Sequence, residues 1–558
     1  DEWQIIHPEV AEPGKGPSLQ ILEPVYPLTE GLTNRRICEL MREAFERAPE
    51  LPEWIEPSLL GRESWRGWRA SLAEAHQKPG SARQRLAYDE IFANQLALLL
   101  LRQSQRRHRT NSLAGTGELI RKLKLPYQLT DAQRRVIREI RGDLAQTLPM
   151  LRLLQGDVGS GKTLVALAAM LTAVESGAQA AFLAPTEILA RQHHSTLLGL
   201  LDSIGVRVAI LTGREKGKAR ESILMGLADG TIDILVGTHA IFQEKVAYKL
   251  LGLAVIDEQH RFGVSQRLLL ASKAEHPPHL LAMTATPIPR TLTLTQYGEM
   301  DVSRIDEMPA GRTAVETRVI SEERLSEVID GLGRHIAGGG QAYWVCPLIE
   351  ESEKSDAAAA EERASALKQR FGDDKVGLVH GRMKGPEKDA VMARFASGEL
   401  STLVATTVIE VGVDVPSATL MIVEGAERFG LAQLHQLRGR VGRGRGNSTC
   451  LLVRGQNLTD AGRKRLSLMR ETNDGFRIAE EDLRLRGPGE ILGTRQSGEE
   501  AFRVASFEEV ERLAPVAQSD ARLLLDRDGG LKGERGRAAR ICLYLFERDQ
   551  AVDLIRSG

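Results

Sequence analysis

The spacing of apolar positions changes character twice along the chain. Up to about Pro27 the sequence is irregular and rich in Pro and Gly. Helical spacing follows, clearest from Leu86 to Leu101, with apolar residues at Leu86, Ile91, Phe92, Leu96, Leu99 and Leu100. From about residue 130, short apolar runs alternate with helical stretches, the pattern of a parallel sheet wrapped by helices. The strands expected are Leu151–Leu154, Ala180–Ala184, Val208–Leu211, Asp233–Val236, Leu253–Ile256 and Leu280–Met283. A second set covers Ala342–Cys346, Val376–Val379, Thr402–Ala405, Thr419–Val423 and Thr449–Val453. Pro and Gly interrupt the periodicity near Met308-Pro309-Ala310-Gly311-Arg312, so two α/β lobes meet there. The Ala- and Glu-rich stretch 351–370 predicts a helix, and after about residue 455 the strand pattern stops and the tail reads helical. The expected fold class is therefore α/β, two tandem lobes with parallel sheets, preceded by a mainly helical linker region and followed by a helical tail. The boundaries run 1–125, 126–311, 312–458 and 459–558.

Composition narrows the class without identifying it. At roughly 150 residues per domain, 558 residues suggest three or four domains. Hydrophobic residues at 42% and charged residues at 27% are ordinary for a globular protein and exclude a disordered or fibrous chain. No uncharged apolar stretch approaches the ~18–20 residues needed to cross a bilayer; the longest, Leu164–Val174, reads as a buried helix, so no membrane span is expected. Lys+Arg 74 against Asp+Glu 75 leaves a net charge of −1, with no global basic field. A nucleic-acid partner would have to be gripped locally, by backbone amides and selected arginines. Aromatic residues at 4% are too few for a protein built on base-stacking platforms. Cys38, Cys346, Cys450 and Cys542 are too far apart for a zinc site or disulfide framework, which points to a reducing, cytoplasmic compartment. No signal peptide is visible, and the chain opens at Asp1 with Trp3–His7 reading as the end of an earlier strand. The basic run Arg102, Arg106-Arg107-His108-Arg109 reads as a solvated helix face, with a phosphate contact as its alternative.

The strongest local signal is Gly156-Asp157-Val158-Gly159-Ser160-Gly161-Lys162-Thr163, a G-x-x-x-x-G-K-[ST] run set between an expected strand and an expected helix. Its glycines let backbone N–H groups turn inward around phosphate oxygens, and the helix N-terminus adds positive potential. Lys162 would reach the β- and γ-phosphates of ATP, and Thr163 would offer its hydroxyl to Mg²⁺. The strand Leu253–Ile256 ends in Asp257-Glu258-Gln259-His260, at the edge where open α/β sheets bind ligands. Asp257 suits the Mg²⁺ shell as a hard oxygen donor, and Glu258 is placed to polarise an attacking water. An Asp-Glu pair alone is better explained by a solvated turn; the phosphate loop reverses that preference. Gln133 closes Thr130-Asp131-Ala132-Gln133, a capping box for a helix carrying Val136, Ile137, Ile140 and Leu144. Capping is its local reading; recognition of adenine, with Tyr127 as a stacking partner, is implied only by the family resemblance that the later motifs carry. Arg438, Arg440, Arg443 and Arg445 share a glycine-rich segment that in isolation reads as a generic anion patch.

In order along the chain, these elements resemble the motifs of superfamily 2 helicases. Asp257-Glu258-Gln259-His260 resembles the DExH box. Ala184-Pro185-Thr186-Glu187 and Gly237-Thr238-His239 resemble strand-end loops, which implies DNA contacts at Pro185, Thr186, Thr238 and His239. Thr284-Ala285-Thr286 resembles the motif coupling hydrolysis to lobe movement, through Thr284 and Thr286. Thr406-Thr407-Val408-Ile409-Glu410-Val411-Gly412-Val413-Asp414 resembles motif V, implying DNA contacts at Thr406 and Thr407 and nucleotide contacts at Gly412 and Asp414. Gln436-Leu437-Arg438-Gly439-Arg440-Val441-Gly442-Arg443 fits the motif VI pattern Q-x-x-G-R-x-x-R, implying a coupling role for Gln436 and arginine fingers at Arg440 and Arg443. The lobes are then RecA-like. Ala479–Glu490 followed by Gly493-Thr494-Arg495-Gln496-Ser497-Gly498 resembles the translocation motif shared by RecG and Mfd, with coupling roles for Arg484, Arg486 and Gln496. Gly487-Pro488-Gly489, Val25–Leu32 and the Leu86–Leu101 helix favour the RecG branch, of whose upstream wedge domain only the last strand and exit linker are expected here.

That resemblance implies an ATP- and Mg²⁺-dependent 3′–5′ DNA helicase or translocase acting as a monomer on forks and Holliday junctions in repair and recombination, with single-stranded-DNA-binding protein as a further partner. Fork handling by a chain with so little wedge is expected to be poor. The alternatives are an Mfd-like transcription-repair translocase, an RNA helicase and a non-catalytic DNA-binding scaffold with a degenerate motor.

Overall fold

The structure, a computed structural model, describes residues 24–28, 31–77, 80–105, 109–125, 128–243, 245–258, 276–285, 288–289, 300–309, 312–347, 353–406, 415–442, 444, 446–491 and 502–548. Trp3–His7 and Arg106–His108 lie outside these residues.

The strands of the first lobe are β1 (Leu151–Gly156), β2 (Gln179–Leu183), β3 (Val208–Leu211), β4 (Ile234–Gly237), β5 (Leu251–Ile256), β6 (His279–Thr284) and β7 (Asp301–Ile305). Those of the second are β8 (Glu316–Ser321), β9 (Gln341–Val345), β10 (Val376–Val379), β11 (Thr402–Ala405), β12 (Ala418–Val423) and β13 (Thr449–Arg454). They form two all-parallel sheets, ordered β3-β4-β2-β5-β6-β1-β7 and β10-β11-β9-β12-β13-β8. Both faces of each sheet are covered, so interior strands read as unbroken apolar runs rather than alternating ones. Along β9, Tyr343 and Val345 enter one core with Phe395, Leu403 and Met421, while Ala342 and Trp344 enter the other with Leu332, Leu367 and Ile422. In the first lobe the helix Lys162–Glu175 is buried over most of its length against Leu154, Phe182, Leu253 and Leu281.

Every strand expected in the two lobes is present, with ends shifted by at most two residues, and two further strands were not expected. β7 pairs only with β1 and β8 only with β13, so both are sheet edges. An edge strand with a wet side keeps polar residues: Glu316 and Arg318 of β8 are exposed while Thr317 between them is buried. Such a segment carries too little apolar signal to be told from a loop. The 351–370 helix runs Glu353–Phe371. Arg102 of the basic run is spent on an ion pair with Asp301 on β7 at 2.7 Å, and Arg109 donates to Thr147 Oγ1 at 2.8 Å.

The chain divides into two compact units, one made of residues up to Leu101 together with those from Glu490 on, the other spanning most of the rest. In the first unit the helix Ser81–Gln105 and the tail helices Phe507–Arg527 and Glu534–Leu545 enclose one core, holding Trp54, Tyr88, Ile91 and Phe92 against Leu513, Ala517, Ala539 and Leu543. Glu90 accepts from the backbone N–H groups of Arg503, Val504 and Ala505 at 2.5, 2.8 and 2.9 Å. At the centre Arg85 and Asp89 are wholly buried: Arg85 Nε donates to Asp89 at 2.9 Å, its Nη1 to Glu53 at 3.0 Å, and Trp54 Nε1 to Asp89 at 2.7 Å. Burial pushes the Asp89 carboxyl up to about 7 against the pull of Arg85. Arg85→Ala would strand that carboxylate, a loss of about 3–5 kcal/mol for a broken buried pair. The expected result is a first unit that melts well below the wild type in calorimetry, with Arg85→Lys only partly restoring it because an ammonium lacks the guanidinium fork. A melting curve unchanged by Arg85→Ala would contradict this.

Candidate nucleotide site

Strand register assembles the site at one edge of the first sheet. Gln155 of β1 lies level with Thr284 of β6, and Ile256 of β5 with Ala282. Gly156, Asp257, Glu258 and Thr284 therefore stand at the carboxyl ends of neighbouring strands, where doubly wound sheets leave a crevice. Between β1 and the helix Lys162–Glu175, Gly159 and Gly161 take φ of 76° and 88°, left-handed conformations that glycine adopts without strain. The fit is also spatial: a Cβ on Gly161 would stand 2.3 Å from Gln133 Nε2, and one on Gly156 2.5 Å from Ser160 Oγ. Gly161 caps a helix whose first N–H groups point into the loop, a ready anion site.

Lys162 is buried at the start of that helix, and its Nζ donates to the carbonyls of Gly156 at 2.8 Å and Asp157 at 2.9 Å. Ser160 Oγ is buried and has no hydrogen-bond partner among the described residues, a hydroxyl suited to a phosphate oxygen. Thr163 follows, partly buried. Gln133 has two connections at once. It closes the capping box, accepting from Thr130 N–H at 3.0 Å, and its Nε2 donates to the Ser160 carbonyl at 2.8 Å. Its amide thus braces the loop from outside the sheet, a role the sequence did not suggest; Tyr127 lies outside the described residues.

Asp257 and Glu258 are adjacent in sequence but held in different electrostatic states. Burial works against ionisation of Asp257, yet the His193 ring, with Nε2 3.0 Å from Oδ2, and then the charge of Lys162 hold its carboxyl below the usual range. Glu258 is pushed above its usual range by burial and by the Asp257 charge, with Lys162 and Arg440 pulling the other way. Glu258 also carries φ of 53°, a left-handed conformation that costs a non-glycine residue on the order of 1–2 kcal/mol and is found where function fixes the backbone. His193 comes from the helix Glu187–Leu201 and packs on Phe182 with ring centroids 4.6 Å apart. Nothing in the local sequence marks it, because its partner is supplied by a different strand.

Three further contacts join the lobes around the phosphate loop. His435 Nε2 is 2.5 Å from Asp157 Oδ1, both groups being buried. Arg312, from the segment between the sheets, donates to the Val158 carbonyl and, at 3.4 Å, to that of Gly439. Gly439 itself has Val158 Cβ 2.7 Å from where its own Cβ would stand. Gly439 of the motif VI segment thus lies against the loop that carries Lys162. Arg443 and Arg445 lie outside them, as do Gln259, His260, Thr286, Thr407, Gly412, Asp414 and Gln496, and so does the side chain of Arg486.

The remaining expected residues take positions with ordinary structural explanations. Thr186 caps the helix Glu187–Leu201, accepting from Leu189 N–H at 3.4 Å, and Pro185 precedes it. Thr238 is buried and leads into the short helical turn His239–Phe242. Thr406 is buried just after β11, Gln436 is partly buried on the helix Leu431–Arg438, and Arg484 pairs with Glu481 at 2.8 Å. No helix among the described residues is long and apolar enough to cross a membrane.

Comparison with known proteins agrees with this geometry. Residues 130–295 match the DEAD/DEAH box helicase family, 322–445 the helicase conserved C-terminal domain, and 472–535 the C-terminal part of domain 3 of the ATP-dependent DNA helicase RecG. An ATP-dependent DNA helicase RecG from Acidithiobacillus ferridurans is 48% identical over 536 residues, covering 94% of this chain and 78% of the relative. The RecG of Escherichia coli K12 is 47% identical over 547 residues, with 94% and 79% covered. A RecG solved bound to a three-way DNA junction superposes with a TM-score of 0.71 at 40% identity, covering 89% of this chain and 66% of that one, just under two thirds. With one nucleotide loop, two parallel-sheet lobes and relatives of this identity over nearly its whole length, the chain belongs to the RecG family of superfamily 2 ATP-dependent DNA helicases.

Proposed function

We propose that this chain moves along branched duplex DNA, at forks and Holliday junctions, by coupling ATP hydrolysis to closure of its two lobes, with 3′–5′ polarity and a role in repair and recombination. The observation that carries the reading is the meeting of the two lobes at the phosphate loop, where His435 Nε2 stands 2.5 Å from Asp157 Oδ1 and Arg312 donates to both the Val158 and Gly439 carbonyls. The relative bound to a three-way junction supports the substrate. The lobes are assigned to 126–311 and 312–458, with a wedge remnant and helical linker before them and the translocation hairpin and helical tail in 459–558.

Lys162 would bind the β- and γ-phosphates together with the loop amides of Gly156 to Thr163, and Gln133 would hold the loop and meet the adenine. The donors Thr163 Oγ1 and Asp257 are hard oxygens that suit Mg²⁺, which takes one or two protein ligands plus phosphate and water and would neutralise phosphate charge when bound. Among the described residues no cluster of three or more His, Cys, Asp or Glu offers a separate all-protein metal cage. Glu258, its carboxyl raised above the usual range by burial and by the Asp257 charge, would orient the attacking water. Arg440 and Arg443 would meet the charge that develops in the transition state, so hydrolysis depends on closure. Gly412 and Asp414 would add nucleotide contacts. Pro185, Thr186, Thr238, His239, Thr406 and Thr407 would grip DNA, and Thr284, Thr286, Gln436, Arg484, Arg486 and Gln496 would couple the cycle to movement.

ATP turnover measured with fork, Holliday junction, linear duplex and RNA at one fixed salt concentration tests the reading, since phosphate contacts weaken steeply with ionic strength. Branched DNA is expected to exceed RNA as a stimulant by about tenfold or more, a barrier difference of about 1.4 kcal/mol. Equal stimulation by RNA, or none by any DNA, would overturn it.

A further inference from the structure

Asp157 occupies an unusual position in the phosphate loop. Its backbone carbonyl accepts from Lys162 Nζ at 2.9 Å, while its side-chain Oδ1 accepts from the Val158 N–H at 2.7 Å and meets His435 of the second lobe at 2.5 Å. The same residue therefore touches the lysine assigned to the phosphates and the opposite lobe. The contact does not end at His435. Arg438 Nη2 lies 2.9 Å from His435 Nδ1, and a guanidinium can only donate, so Nδ1 is the acceptor. Nε2 then carries the proton of the neutral ring and donates it to Asp157. Arg438, buried itself, sends Nη1 to the carbonyls of Met469 at 2.7 Å and Thr472 at 2.8 Å. These carbonyls end the helix Asp460–Glu471 and begin the turn into the helix Gly475–Ile491. That second helix starts hard against the pair: a Cβ on Gly475 would stand 2.6 Å from His435 Nε2 and 2.8 Å from Asp157 Oδ2. Asp474 fixes the turn by accepting from the N–H groups of Phe476 at 2.9 Å and Arg477 at 3.3 Å.

We propose that Asp157, His435 and Arg438 form a buried positioning relay that ties the state of the phosphate loop to the placement of the helix Gly475–Ile491. The proposal rests on the reading of this chain as a DNA-stimulated ATP-driven motor. When Lys162 leaves the Gly156 and Asp157 carbonyls for a phosphate, Asp157 loses a backbone partner and the loop re-forms around the ligand. The carboxylate is bonded to His435, so that rearrangement pulls on or releases His435, and Arg438 passes the change to the Met469 and Thr472 carbonyls. Purely for packing, an apolar pair of similar volume would serve as well, since burying a carboxylate and a guanidinium carries a large desolvation cost. A chain of directional bonds has two discrete arrangements, made and broken, which is what coupling between sites requires. His435 and Arg438 act through Asp157; neither is assigned a contact with nucleotide.

The experiment compares His435→Gln and His435→Leu with the wild-type chain. A Gln amide carries one acceptor and one donor on a planar group, as the neutral imidazole does; Leu fills the volume but makes neither bond. For each, ATP turnover is measured with and without branched DNA, along with KM for ATP and triplex-strand displacement per ATP consumed. His435→Leu is expected to keep KM and DNA-independent turnover within about twofold while losing roughly tenfold in DNA stimulation, the size typical of coupling between sites. His435→Gln is expected to recover most of that loss. Should His435→Leu melt below the assay temperature, Arg438→Met cuts the next bond of the same relay and is expected to lose stimulation equally. The double variant is expected to be no worse than the more impaired single one, because both interrupt one relay. Wild-type coupling in His435→Leu, a Gln variant no better than Leu, or losses that multiply in the double variant would overturn the relay alone. A wild-type chain with no DNA-stimulated turnover would overturn the motor reading, and the relay with it.

Discussion

Lys162→Ala is expected to lower ATP turnover by about 10³-fold or more, with or without DNA, the scale set by removing one preorganised donor from a site of developing negative charge. The reasoning starts from position. Lys162 opens a helix behind two left-handed glycines, and its ammonium reaches back over the loop to the Gly156 and Asp157 carbonyls. Carbonyl oxygens are weak partners for an ammonium compared with a polyphosphate, so a bound polyphosphate would draw the ammonium from them. Alanine is the best helix former, and the carbonyls it would leave lie at the crevice, so the fold should survive. A coupled-enzyme ATPase assay beside a circular dichroism spectrum checks both halves. Wild-type-like turnover in a folded Lys162→Ala chain would remove the loop from the mechanism.

Glu258→Gln is expected to cut turnover by about 10²–10⁴-fold while leaving ATP binding close to wild type, the range for loss of a general base. The substitution is isosteric, so the left-handed backbone at this position and the bond from its N–H to Asp257 Oδ1 at 3.1 Å can persist. What disappears is a carboxylate held above its usual range by burial and by the neighbouring Asp257 charge. A base so placed must be deprotonated to work. Wild-type turnover should therefore fall on acidification at a pH above that of an ordinary glutamate, and the residual activity of the variant should lack that acid limb. Turnover against pH, with binding of a fluorescent ADP analogue as the control, separates the outcomes. Retained turnover, or an identical acid limb in the variant, would assign the base elsewhere.

The two predictions depend on the sequence to different degrees. Gly156 to Thr163 could be read directly because the loop, the strand before it and the helix after it are all local: spacing and residue type suffice. Interior strands were equally legible, since parallel strands covered on both faces must be continuous apolar runs. Edge strands β7 and β8 were not, because one wet side lets polar residues such as Glu316 and Arg318 occupy them. The capping box at Thr130–Gln133 was legible as a local motif, but the bond from the same Gln133 to the Ser160 carbonyl was not. In the helical unit, Arg85 and Asp89 sit one turn apart, yet nothing local shows that Glu53, Trp54 and the tail helices close over them.

By itself, then, the sequence determined the two parallel-sheet lobes, the phosphate loop, the Asp-Glu strand end and the arginine-bearing segment, each encoded within a dozen or so neighbouring residues. Only the tertiary structure decided that Gly439 lies against Val158, that His193 faces Asp257, and that His435 reaches across to Asp157. Those pairings join residues far apart in sequence and brought together by sheet order and lobe approach. Periodicity and motif spacing report what a residue does to its near neighbours, whereas charge and hydrogen bonding act through space.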